Sequence, residues 1–170
     1  MPKKKKLREK EQNCVPREKR KRKIKDKIAV ILRGIPGSGK SSFASFLNSR
    51  FLEECRVHSV DDLHTSEGVF SWDESKAEAL YHLNFSNFVK SLSEGFPLVV
   101  CDCINLEVSD FQIYLDASRA FGYNPYVVTP DMPTPDISEK RNLHGVTKEQ
   151  IYKMIDRWEQ WPIKSLESHN

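Results

Sequence analysis

From Ile28 onward, short apolar runs alternate with longer amphipathic stretches. Runs of strand length stand at residues 28–32, 56–60, 97–103 and 125–129, and near-continuous apolar runs of this kind suit strands covered on both faces. Helical spacing fills the gaps. Residues 42–51 place Phe43, Phe46, Leu47 and Phe51 on one face, and residues 73–92 place Tyr81, Phe85, Phe88 and Leu92 on another. Val108, Phe111 and Leu115 mark a third helix closed by Gly122, and residues 148–161 carry an Ile151, Met154, Ile155, Trp158 stripe that Pro162 stops. Ser71-x-x-Glu74 and Thr147-x-x-Gln150 read as capping boxes. The alternation predicts an α/β domain over residues 28–162, layered about a mainly parallel sheet, with a short tail at 163–170.

Charge changes the picture at the amino end. Residues 1–27 hold 14 basic and 4 acidic side chains, a net of +10, whereas residues 28–170 hold 13 basic and 20 acidic ones. The first segment is too charged to offset the entropy of folding and is expected to be a disordered basic arm. Its clusters at 3–6 and 19–23 read as a nuclear import signal or a nucleic-acid tether, with a solvated solubilising tail as the plainer alternative. The acidic body excludes a domain that grips nucleic acid over its whole surface. The longest aliphatic run, Ile28–Leu32, is far short of a membrane span, and no apolar stretch backs the amino-terminal charges as a secretory signal requires. Cys14, Cys55, Cys101 and Cys103 form no CxxC pair, which suits a reducing compartment, nucleus or cytoplasm. At 170 residues the chain is the length of one domain.

The candidate chemistry follows the first strand, where Gly34-Ile35-Pro36-Gly37-Ser38-Gly39-Lys40-Ser41 completes a G-x-x-x-x-G-K-S pattern. In such a loop the glycines turn backbone N–H groups toward phosphate oxygens, the lysine reaches the β- and γ-phosphates, and the hydroxyl holds Mg²⁺. Ser38 and Ser42 complete the expected ATP-binding set. The second strand is expected to end in Asp61-Asp62, at the edge of the sheet where ligands sit. One of these acids would serve as general base or orient an attacking hydroxyl; the alternative is a turn cap. Adjacent side chains on a strand point to opposite faces, so only one acid can approach the γ-phosphate, and Asp61 is preferred. Residues 98–101 run into Asp102, in the form of a carboxylate that supports Mg²⁺ together with Ser41. Cys101 and Cys103, which flank it, are expected to be buried rather than metal-bound. Finally, residues 140–145 follow a Pro-rich loop, and Arg141 is the candidate lid cation that closes over phosphates, or else a helix-terminal charge.

Together RGIPGSGKSS, SVDDLH, VVCDCINL and EKRNLHGVTKEQIYKMIDRWEQWP resemble the polynucleotide-kinase-like branch of P-loop proteins. Within that branch the resemblance points to the carboxyl-terminal P-loop domain of YLP-motif-containing nuclear proteins, over about residues 28–162. It implies a three-layer P-loop kinase-like fold, ATP and Mg²⁺ at Lys40 and Ser41, Asp61 as the base and Asp102 in support. It also implies that a basic lid residue falls near His144 and that a substrate-phosphate arginine is replaced by His64. Two functions follow. One is an ATP-dependent kinase acting on a nucleic-acid end or small substrate, with any polynucleotide held by the arm, Arg33 and Arg141. The other is a nuclear nucleotide-binding module that engages protein partners with little turnover.

Overall fold

A computed structural model describes residues 26–161. The expected arm up to residue 25, Cys14, Pro162 and the tail lie outside the described residues. Four parallel strands form the main sheet, β1 (Ile28–Leu32), β2 (Cys55–Ser59), β5 (Leu98–Asp102) and β6 (Asn124–Val128), in the order β2-β5-β1-β6. A two-stranded hairpin, β3 (Thr65–Ser66) with β4 (Val69–Phe70), stands apart from it. Helices α1 (Lys40–Phe51), α2 (Val60–Leu63), α3 (Glu74–Glu94), α4 (Val108–Ala120), α5 (Pro135–Arg141) and α6 (Lys148–Asp156) complete the fold. Among these residues no helix is long and apolar enough to cross a membrane.

Strand alternation divides the core. Ala29, Ile31, Val99 and Cys101 face α3 and α4, where Phe88, Leu92, Phe111 and Leu115 meet them. Val30, Leu32, Leu98 and Val100 face the opposite way, against Ala44 with Phe43, Leu47 and Phe51 of α1. The result is an α/β/α sandwich with a parallel sheet, the expected class. Central β1 pairs with β5 and β6, and its register sets Leu32 beside Asp102. The carboxyl ends of β1 and β5 therefore finish level, and both open on the same edge.

Several boundaries differ from the pattern. Val60, buried like a strand residue, begins α2, because the chain turns over the sheet edge immediately after Ser59. Phe46 is 59 % exposed and stacks only on Phe43, outside the apolar face assigned to it. The Ser71–Glu74 box is not used. Ser71 N–H is committed to His64 O at 3.0 Å, and Asp73 caps α3 instead by accepting from Ser75 N–H. The Thr147–Gln150 box forms as expected, but α6 ends at Asp156 and the chain leaves helical geometry before Trp158. The stripe still packs, since Ile151, Met154, Ile155 and Trp158 surround Ile35 and Leu106. Lys27, placed in the arm by composition, docks on the body: its carbonyl accepts Asn124 N–H at 2.9 Å, and its ammonium lies 5.2 Å from the Tyr123 ring centre.

Arg33 is the largest correction. Expected at the surface for phosphate, it is 1 % exposed. Its Nε donates to Asn105 O at 2.8 Å, its Nη2 to the carbonyls of Leu106 and Glu159, and its guanidinium lies 3.9 Å from the Trp158 ring centre. Burial lowers its pKa, against the pull of the Glu159 and Asp110 carboxylates. Asn105 completes the knot in left-handed geometry at φ 53, with Nδ2 donating to Leu32 O at 2.7 Å; Asn is among the few side chains that tolerate this backbone region. Arg33 thus ties β1 to the segment after β5 and to the end of α6. Truncating Arg33→Ala leaves the carbonyls of Asn105 and Glu159 without a donor, while Leu106 O keeps Glu159 N–H, and should cost about 3–5 kcal/mol in chemical denaturation.

Candidate active site

The phosphate loop is built where β1 turns into α1. Gly34 N–H donates to Ile104 O at 3.0 Å, and Ser38 N–H to Ile35 O at 3.2 Å. Two glycines are required by close approach. A Cβ on Gly34 would stand 2.6 Å from Ser38 Oγ, and one on Gly37, at φ +73, would stand 2.8 Å from Ser138 O. Gly39 caps α1 in left-handed geometry and no side chain caps it, which leaves the first-turn N–H groups for an anion.

The charged groups converge just beyond. Lys40 is only 8 % exposed and donates from Nζ to Ile35 O at 3.1 Å. Burial lowers its pKa, while the Asp102 and Asp61 carboxylates oppose that shift. Asp102, the last residue of β5, is buried, and the Ser41 hydroxyl lies near enough to draw its pKa down. Burial raises its pKa, Ser41 and Lys40 lower it, and Asp61 and Asp62 push it up again.

These residues fit a nucleotide and its metal on their own chemistry. Ser38 Oγ is a buried hydroxyl with no hydrogen-bond partner, inside a loop that already holds a desolvated ammonium and an uncapped helix start. Phosphate oxygens would satisfy all three. Ser41 and Asp102 are hard oxygen donors suited to Mg²⁺ that shares its remaining positions with phosphate and water. Among the described residues no group of three or more His, Cys, Asp or Glu side chains could form an all-protein metal cage. Cys101 and Cys103 are buried free thiols, as expected of them.

Asp61 and Asp62 reach the site differently from the strand argument. Both lie on α2, so about 100° of helical rotation, not strand alternation, separates their side chains. Asp61 lines the cleft and Asp62 does not. Arg141 ends α5, and this helix sits directly on the phosphate loop: Ser138 is fully buried and its hydroxyl donates to Pro36 O. Arg141 lines the same cleft, its Cβ 3.1 Å from where a Gly37 Cβ would be. The prolines before residue 140, Pro130, Pro133 and Pro135, read as a loop, yet Pro135 opens α5 at a position where a missing N–H costs nothing.

The two histidines depart from the roles implied by resemblance. His64 is 6 % exposed, stacks on Trp72 at 4.3 Å between ring centres and does not line the cleft. It holds the β3–β4 hairpin. His144 stands with Nε2 3.3 Å from Asp61 Oδ2, and its ring centre is 3.9 Å from that of Phe70.

The cleft has a volume of about 1460 Å³ and gathers Gly37, Ser38, Gly39, Lys40, Ser41, Ser42, Asp61, Asp102 and Arg141 from the predicted set. Gly34 lies behind them and Arg33 outside. This volume exceeds what a single nucleotide needs, so a second ligand has room. Its lining also includes Phe70, Trp72, Tyr81 and Ile113; Tyr81 reads in sequence as part of a helix's core face, and nothing in the sequence around Phe70, Trp72 and Ile113 marks them for a cleft.

No protein-family model matches the chain. Human YLP motif-containing protein 1 (Homo sapiens) is 31 % identical over 160 residues, which covers 81 % of this chain and 7 % of that protein. The chain thus spans a small fraction of the relative it matches. Among solved structures, a chain of the Pnkp1/Rnl/Hen1 RNA repair complex superposes with a TM-score of 0.62 at 18 % identity, over 78 % of this chain and 44 % of that one. A gluconokinase from Sinorhizobium meliloti superposes with a TM-score of 0.54 at 15 % identity, over 85 % and 81 %. At these identities the likeness carries the fold, that of P-loop kinases.

Proposed function

Because the chain is homologous to a segment of YLP motif-containing protein 1 and has the P-loop kinase fold, we propose that it binds Mg²⁺-ATP and transfers the γ-phosphoryl group to a hydroxyl. The acceptor is a nucleic-acid end or a small substrate. In this reading Lys40, Arg141 and the first-turn amides of α1 would hold the phosphates, and Ser41 and Asp102 would hold Mg²⁺, whose charge would offset that developing on the transferred group. Asp61 takes the acceptor proton or orients the hydroxyl. The observation that carries the reading is geometric: Lys40, Ser41, Asp61, Asp102 and Arg141 line one cleft, so the metal-side and acceptor-side acids open on the same space as the phosphate loop.

A second reading is favoured by the two histidines. His64 is buried against Trp72 and His144 stands beside Asp61, and in this reading neither serves as a phosphate clamp. A nuclear nucleotide-binding module that engages protein partners with little turnover would need none. Transfer of label from γ-labelled ATP, with and without a 5′-hydroxyl RNA oligonucleotide or small hydroxyl acceptors, separates the two. Label on an acceptor supports the kinase; ATP binding with no transfer to any acceptor supports the module.

The basic amino-terminal segment is proposed to direct the protein to the nucleus and to bind RNA. Deleting residues 1–25 spares the Lys27 contact with the sheet, and it should abolish nuclear accumulation and the steep salt dependence of RNA binding, about −0.7 in log–log slope per phosphate contact on single strands. Retention of both by the shortened chain would locate them in the body.

A further inference from the structure

His144 is the one lid residue whose polar atom faces the acceptor-side acid. Its loop is held by its neighbours: Asn142 Nδ2 donates to Ser138 O at 3.2 Å, Glu139 O at 2.8 Å and Val146 O at 2.9 Å, and its Oδ1 accepts Val146 N–H at 2.8 Å. Ser138 in turn anchors α5 on Pro36 of the phosphate loop. The His144 ring packs on Phe70, and its Nε2 lies 3.3 Å from Asp61 Oδ2. A continuous path of contacts thus runs from the phosphate loop through Ser138 and Asn142 to His144 and Asp61.

We propose that His144 is a positioning residue for Asp61, so that seating the lid on the phosphate loop and orienting the acceptor-side carboxylate are one event. The proposal rests on the reading of Asp61 given above. Asp61 projects from a single-turn helix and its side chain is 46 % exposed, so little else fixes its rotamer. A donor on Oδ2 leaves Oδ1 for the acceptor, in the way an orienting partner fixes a catalytic group by occupying its other polar atom. During transfer the acceptor O–H proton passes to Asp61 Oδ1, the acceptor oxygen bonds to the γ-phosphorus, and the bond from that phosphorus to the β,γ-bridging oxygen breaks with ADP leaving. His144 neither gains nor loses a proton. At 3.3 Å the two groups stand at ion-pair distance, and a bound substrate would bring them into hydrogen-bond alignment.

His144→Phe keeps a ring against Phe70 and removes the donor, whereas His144→Gln keeps a donor amide. Steady-state kinetics of the full chain should show kcat lowered about 10- to 100-fold in H144F, with KM for ATP within about twofold, and recovery to within about threefold of wild type in H144Q. In an Asp61→Asn background H144F should cost nothing more, since both act through one group. A readout independent of turnover is the ¹⁵N resonance of the His144 imidazole, which should move in D61N. A raised KM for ATP with unchanged kcat would make His144 a phosphate clamp and overturn the proposal. Equal losses in H144F and H144Q, or an imidazole resonance unmoved in D61N, would overturn it too. If D61N impairs turnover while H144F does not, positioning by His144 fails alone. If D61N turns over like wild type, the Asp61 assignment fails and takes this one with it.

Discussion

Lys40→Ala is expected to weaken Mg²⁺-ATP binding by at least about 100-fold in titration calorimetry, with a cooperative unfolding transition retained. The ammonium is buried, donates to Ile35 O and faces the space enclosed by the phosphate loop. Each charge-assisted hydrogen bond to phosphate contributes about 1.5–3 kcal/mol, so losing a contact to both the β- and γ-phosphates reaches the stated factor. The fold should tolerate the change, because burial already lowers the Lys40 pKa and truncation relieves that desolvation. Asp102 would respond in the opposite sense: without the ammonium that draws it down, its already raised pKa should climb further. Affinity unchanged from wild type would remove nucleotide binding from this loop.

Asp61→Asn should lower turnover about 10²- to 10⁴-fold with ATP affinity nearly unchanged, whereas Asp62→Asn should change it no more than a few-fold. The amide preserves size and hydrogen bonding and loses only the proton acceptor. The asymmetry follows from α2, whose single turn aims Asp61 into the cleft and leaves Asp62 outside it. Both carboxylates push the Asp102 pKa upward, so their field alone would give similar small effects. Equal effects of the two substitutions in a label-transfer assay would therefore mean that the acids act only through the field, and the base would have to be sought elsewhere.

What could be read from the chain alone is what depends on neighbours in sequence. The strand at Ile28–Leu32 and the box at Thr147 and Gln150 result from apolar periodicity or from interactions within a few residues, and the phosphate loop from Gly34 to Ser41 shows in the spacing of its glycines, lysine and serine. The strand bounded by Ser59 and the helix begun by Val60 mark where this stops working. Val60 is β-branched and buried, so its pattern is that of a strand, and only the turn over the sheet edge makes it helical. That displacement changed the reason for preferring Asp61 over Asp62.

The tertiary structure alone decided the fate of the cations and the histidines. Arg33 reads as a surface charge beside a phosphate loop, yet carbonyls of Asn105, Leu106 and Glu159, distant in sequence, turn it into an internal tie. His64 and His144 look alike as replacements for arginine; the hairpin buries one against Trp72, and the lid loop carries the other to Asp61. Sequence spacing holds no record of these outcomes, because a polar side chain's role depends on which unpaired groups the fold brings within about 3 Å of it. Apolar periodicity and capping are local, so the four sheet strands, the helices after them at 40–51, 74–94, 108–120 and 148–156, and the phosphate loop were legible in the chain itself, while α2 and α5 were not. Pairing between distant polar groups exists only after the layers have closed.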